Sequence, residues 1–238
     1  MKKAKVLGSV LKVLPKSTGD SLCKKIVKNY LDKYADIEVE GMENLQGLRG
    51  PVVFIPNHLS NSDGLILNRV LKEFDPTFVA GVKLKGDSFT NIGMRVIKSI
   101  NIKPNSADKE ALSKTIKTLK DGGNIVIFPE GTRSRVGSMI EGKKGIVLIA
   151  KMSKATIVPV GIHGSENLLP INKEGNMGEE NFQNAKVWVN IGKPVALPEK
   201  IKEEEKHAYE ERALKTLMGA IAALLPEEYR GVYKWKER

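Results

Sequence analysis

Short apolar runs alternate with segments of helical period along most of this chain. The runs predict strands over residues 37–40, 52–55, 77–82, 99–102, 124–128, 156–162 and 185–191. Between them, helical periodicity predicts helices over 62–74, over 106–121 with Leu112, Ile116 and Leu119 on one face, and over 145–152. A charged helix closes the chain over 203–225, with Leu214, Leu217, Met218, Ile221, Leu224 and Leu225 as its packing stripe. Strand–helix alternation of this kind predicts an α/β fold with a largely parallel central sheet flanked by helices, and ligands gathered at the loops leaving the strands. Pro159 has no N–H to give to a ladder, so 156–162 is expected at a sheet edge or locally bulged. The stretch 172–184, with Gly175 and Gly178, reads as a loop. No internal repeat or low-complexity tract is present.

The first 35 residues carry a different pattern. Val6-Leu7, Val10-Leu11 and Val13-Leu14, then Leu22-Cys23, Ile26-Val27, Tyr30-Leu31 and Tyr34, recur at helical spacing, bordered by Lys2, Lys3, Lys5, Lys12, Lys16, Lys24, Lys25 and Lys28. This predicts an N-terminal amphipathic helical segment over 1–35 ahead of one domain over 36–238. Residues 1–14 are expected to enter a lipid interface, with ammonium groups on anionic headgroups; 15–35 could equally pack on the core.

Composition sharpens this picture in three ways. A chain of 238 residues with 41% hydrophobic residues can bury a real core. The single Cys23 excludes an internal disulfide, and one Cys with three His supplies no zinc-ligand set, so no metal is expected. The longest apolar runs, 145–150 and 220–225, fall short of the ~18 residues a spanning helix needs. With no secretory signal pattern, the expected place is the cytoplasmic face of a membrane, peripherally attached. The net charge of +11 is uneven, with nine lysines and two aspartates in residues 1–35. Such asymmetry implies an anionic partner, and 5% aromatic content argues for a membrane surface over nucleic acid.

Two polar clusters follow buried strands. The first is Asn57-His58-Leu59-Ser60-Asn61-Ser62-Asp63, leading into a helix capped at Asn61 or Ser62. His58 and Asp63 stand five apart, a spacing that needs a turn to bring them together. A His on a strand-to-helix loop beside a carboxylate is one way to present a general base and its orienting partner; a capped loop with a satisfied His is the plainer reading. The second cluster is Pro129-Glu130-Gly131-Thr132-Arg133-Ser134-Arg135. Gly131 allows close backbone approach, Thr132 and Ser134 offer hydroxyls, and Arg133 and Arg135 offer planar forks suited to phosphate. A capped turn with a Glu–Arg ion pair would account for it equally. Lys143 or Lys144, opening the next helix, and Lys103, at the end of the 99–102 strand, are further candidate anion ligands. One base, one carboxylate and several cations suit transfer of a group to a hydroxyl on a phosphate-bearing acceptor.

In the run His58 to Asp63 and the run Phe128-Pro129-Glu130-Gly131-Thr132-Arg133-Ser134-Arg135, some seventy residues later, the chain resembles the glycerolipid acyltransferases, specifically the 1-acyl-glycerol-3-phosphate acyltransferases. A Gly-containing block lies between them and Ile157-Val158-Pro159-Val160-Gly161-Ile162 follows, in the family's order, so that the resemblance covers about 37–195. It implies transfer of a fatty acyl group from an acyl-CoA or acyl carrier protein thioester to the sn-2 hydroxyl of lysophosphatidic acid, with no cofactor. His58 and Asp63 would be catalytic; Glu130, Gly131, Thr132 and Arg133 would hold the glycerol phosphate, with Lys103, Lys143 and Lys144 secondary. The chain departs from the family pattern in carrying Lys103 where an Arg is usual, and Glu141-Gly142 where a Phe commonly precedes Lys-Lys-Gly. The alternatives are an acyltransferase for glycerol 3-phosphate or another lysophospholipid, and a non-catalytic basic module binding membrane or nucleic acid.

Overall fold

The computed structural model describes residues 14–81, 89–103, 108–171 and 180–234, with the side chains of 89–91 excepted. Helix α1 (Lys16–Tyr34) leads into β1 (Ala35–Glu40). The chain continues through β2 (Val52–Pro56), α2 (Asp63–Val70), β3 (Thr77–Gly81), α3 (Phe89–Met94), β4 (Lys98–Ile102), α4 (Lys109–Lys120) and β5 (Ile125–Ile127). Then come α5 (Gly145–Ser153), β6 (Thr156–His163), α6 (Ser165–Leu168), β7 (Ala185–Ile191) and α7 (Lys206–Ala222). The strands form one sheet in the order β1-β7-β6-β2-β5-β3-β4. Every neighbouring pair is parallel except β6 and β7.

The middle strand shows why a continuous apolar run becomes a sheet centre. All five residues of β2 are buried, and alternate side chains serve opposite faces. Val52 and Phe54 join α1, α2 and the Val187, Val189 and Ile191 stripe of β7 in one core. Val53 and Ile55 join α4, α5 and the Ala213, Leu217, Met218 and Ile221 stripe of α7 in the other. Helices therefore cover both faces, and the carboxyl ends of β2 and β5 emerge side by side.

Pro159 sits inside the sheet, on β6 between β2 and β7, so an edge position is corrected and the bulge is what occurs. On the β7 side the ladder pairs Val160 with Ile191, breaks, and resumes at Ile157 with Val195. Three residues, 192–194, oppose two, 158–159. The Pro159 carbonyl accepts from the Gly192 N–H at 2.9 Å, and the missing donor falls where the ladder is already interrupted.

Helix α1 packs on the core, with Cys23, Val27 and Leu31 buried at helical spacing in the same cluster as Phe54 and Val187. Its lysines Lys24, Lys25 and Lys28 are exposed. Residues 1–13, which hold nearly all of the expected lipid-contact stretch, lie outside the described residues.

Candidate active site

The first loop is tied down before its chemistry begins. Asn57 extends β2 and grips β6 with both ends of its amide: Nδ2 donates to the Ile162 carbonyl, and Oδ1 accepts from the Ile162 N–H, each at 2.8 Å. Ser60 Oγ donates to the Leu169 carbonyl at 2.9 Å, and Ser62 Oγ donates to Ser60 Oγ at 3.0 Å. Ser62 occupies the cap position of α2, yet its hydroxyl caps nothing; it is spent on anchoring the loop to the α6 region. With Asn57, Ser60, Ser62 and Asp63 fully buried, the loop is a rigid mount.

On that mount the His58 Nδ1 lies 2.8 Å from Asp63 Oδ2. The same oxygen accepts the Leu59 N–H at 2.8 Å and the Ser60 N–H at 2.9 Å. An oxygen that already accepts two backbone N–H groups faces the imidazole as an acceptor, so Nδ1 meets it with its proton. Nε2 is thereby left as an acceptor, the state a general base needs. The ring stacks on Phe128 with centroids 4.0 Å apart, and the His58 side chain keeps 19% of its surface accessible while Asp63 keeps none.

The second loop closes against the first. The Ser134 N–H donates to the His58 carbonyl at 2.8 Å, and the His58 N–H donates to Glu130 Oε1 at 2.9 Å. Glu130 Oε2 accepts from the Ile140 N–H at 2.9 Å. Burial pushes this carboxyl up from the usual carboxylate range to about 7, against the two N–H bonds that lower it. Glu130 is 1% exposed and both of its oxygens accept backbone N–H groups, so as placed it ties the His58 loop to Ile140 and does not face solvent. Nor is it the partner of Arg133. That guanidinium donates through Nη1 to Glu180 Oε1 at 3.0 Å, and Glu180 Oε2 accepts from Asn61 Nδ2 at 2.5 Å.

Gly131 turns with φ +69°, a left-handed geometry that suits glycine. A Cβ there would stand 2.9–3.0 Å from Cδ, Cε and Nζ of Lys143, so the Lys143 side chain lies along the Gly131 backbone. Thr132 is exposed beside it. Lys144 does not join them: its Nζ lies 2.8 Å from His207 Nε2 and 3.4 Å from Glu211 Oε1, both on α7. Gly142, just ahead of Lys143-Lys144-Gly145, lies against α7, where a Cβ would meet Met218 Sδ at 2.7 Å. Lys103 follows the edge strand β4, exposed, with its N–H donating to Asp108 Oδ2. Three strand spacings, about 14 Å, separate that strand from β2, so Lys103 stands apart from the cluster. His163 stacks on Trp188 at 4.8 Å and His207 is paired on α7. Glu180 and Phe128 are the site residues that sequence reasoning did not assign.

Residues 36–163 match a family model described as Acyltransferase. The chain is 30% identical over 162 residues to the 1-acyl-sn-glycerol-3-phosphate acyltransferase LPAT1, chloroplastic, of Arabidopsis thaliana, an alignment covering 67% of this chain and 43% of that protein. It is 25% identical over 173 residues to the 1-acyl-sn-glycerol-3-phosphate acyltransferase of Bacillus subtilis, covering 73% of this chain and 80% of that one. The chain spans less than half the length of the plant relatives it matches. Its fold is similar to that of the LPA acyltransferase PlsC from Thermotoga maritima, with a TM-score of 0.58 at 22% identity over 98% of this chain and 90% of that one.

Proposed function

The chain belongs to the acyltransferase family, and from that premise we propose that it moves a fatty acyl group from a thioester to the sn-2 hydroxyl of lysophosphatidic acid, giving phosphatidic acid. The observation that carries the reading is the His58–Asp63 pair, with Nδ1 held at 2.8 Å and Nε2 left to accept a proton, mounted against a loop that bears Arg133 and Lys143. As the acceptor hydroxyl attacks the thioester carbonyl, Nε2 takes its proton and Asp63 stabilises the imidazolium. The tetrahedral oxyanion then collapses, the C–S bond breaks, and the departing thiolate takes the proton from Nε2. The products are ester and free thiol. No acyl-enzyme and no cofactor enter the scheme. Arg133 and Lys143, with Thr132 and the Gly131 backbone between them, hold the acceptor phosphate. The donor is acyl-CoA or acyl carrier protein, and the enzyme works peripherally at the cytoplasmic face of an anionic membrane.

Incubating purified protein with lysophosphatidic acid and an acyl thioester should release free thiol and phosphatidic acid together. A panel that adds glycerol 3-phosphate and other lysophospholipids assigns the acceptor. Release of thiol without any acylated lipid, or no release at all, would sink the reading.

A further inference from the structure

Arg133 cannot be understood from its own loop. Its Nη1 is committed to Glu180 Oε1 at 3.0 Å, the other oxygen of Glu180 takes Asn61 Nδ2 at 2.5 Å, and the side chains of Arg133 and Glu180 are only 14% and 3% exposed. Asn61 lies on the His58 loop, Arg133 on the Glu130–Arg135 loop, and Glu180 between α6 and β7. One carboxylate thus clasps the loop of the base to the loop of the phosphate ligand. A carboxylate this buried persists only when charge and hydrogen bonds meet it, and both of its oxygens are met. The guanidinium is a planar, rigid fork, so fixing Nη1 fixes where its remaining N–H edge points.

We infer that Glu180 is a positioning residue for the acceptor, holding the Arg133 guanidinium, through the Glu180–Asn61 clasp, at a set distance and angle from His58. The inference rests on the proposed acyl transfer, and it deepens that reading by assigning the element that sets phosphate against base. The clasp acts on acceptor binding and leaves the thioester alone.

The test is steady-state kinetics with lysophosphatidic acid and an acyl thioester. Glu180→Ala should raise the acceptor KM at least tenfold while the thioester KM stays within twofold. Glu180→Gln, which keeps an acceptor oxygen for Arg133, should restore most of that loss; Asn61 can turn its amide to face the new one. Because Glu180 acts through Arg133, adding Glu180→Ala to Arg133→Ala should raise the KM no further. Asn61→Ala should shift the acceptor KM in the same direction, and it carries the test if Glu180→Ala does not fold. An acceptor KM that is unchanged or lower in the single variants, or a further rise in the double variant, overturns the inference. Wild-type protein that releases no thiol overturns both this inference and the functional reading; active wild type with indifferent Glu180 and Asn61 variants overturns this one alone.

Discussion

Asp63 directs a single oxygen at three donors, His58 Nδ1 and the N–H groups of Leu59 and Ser60, while its other oxygen has no partner among the described residues. An Asn at 63 could keep its amide oxygen on those donors, so Asp63→Asn should fold while losing the charge that steadies a protonated His58. We expect it to lower turnover by roughly 10²–10⁴, with His58→Ala at least as damaging; unchanged circular dichroism beside the lost thiol release is the measurement. Glu130 behaves differently, since its carboxyl is raised to about 7 by burial. Between about pH 4.5 and 7 the unfolded chain has released this proton and the folded protein still holds it, so Glu130 draws stability down as pH rises through that window. The loss amounts to at most about 3 kcal/mol. Urea unfolding at pH 5 and pH 8 should show this decline in the wild type and a flatter profile in Glu130→Gln. Because Gln offers only one oxygen to the N–H groups of His58 and Ile140, the variant should also lose about 1–3 kcal/mol at pH 8. A slope that survives the substitution would assign the titration to other groups.

At the level of elements, α1 is held as part of the domain it precedes. Cys23, Val27 and Leu31 are buried, and Asp32 accepts from Arg69 Nη1 of α2 at 2.6 Å. Leu31→Ala should therefore cost about 2–5 kcal/mol in a denaturant melt, whereas charge reversal at exposed Lys24, Lys25 and Lys28 should move stability by less than about 1 kcal/mol. Equal and small effects would detach α1 from the core. The stripe that packs was legible in the sequence, and so were the seven strands, because burial on one face or two writes a period into the residues; β7 falls where alternation placed it, at Ala185–Ile191. Helices α3 and α6, of six and four residues, are too short to write a period. Pairings across the fold leave no local trace either. Glu180 meets Asn61 and Arg133 from 119 and 47 residues away, out of a stretch whose glycines read as loop. Lys143 and Lys144 are neighbours in sequence just ahead of α5, yet one side chain meets Gly131 and the other meets α7.

For the molecule as a whole, the question is how a fold with a core on each face of its sheet would reach the lipid acceptor proposed above. Among the described residues no helix is long and apolar enough to cross a membrane, and α1 has committed its apolar stripe to the protein. Of the lysine-rich first 35 residues, the stretch 1–14 carries the apolar pairs Val6-Leu7, Val10-Leu11 and Val13-Leu14 alongside Lys2, Lys3, Lys5 and Lys12, and residues 1–13 of it lie outside the described residues. Each lysine near an anionic surface contributes about 1 kcal/mol, and inserted apolar residues add to it. We expect the full chain to bind vesicles containing anionic phospholipid, to bind neutral vesicles poorly, and to lose affinity as salt shortens the reach of its charge. Deleting 1–14 should weaken vesicle binding at least tenfold while a dispersed short-chain acceptor is still turned over, since His58, Asp63, Arg133 and the core beneath them lie beyond the cut. Co-sedimentation across a salt series, run beside the thiol assay, separates the outcomes. Undiminished binding after the deletion would move the membrane contact to the exposed lysines of α1, and reversing Lys24, Lys25 and Lys28 would then abolish it.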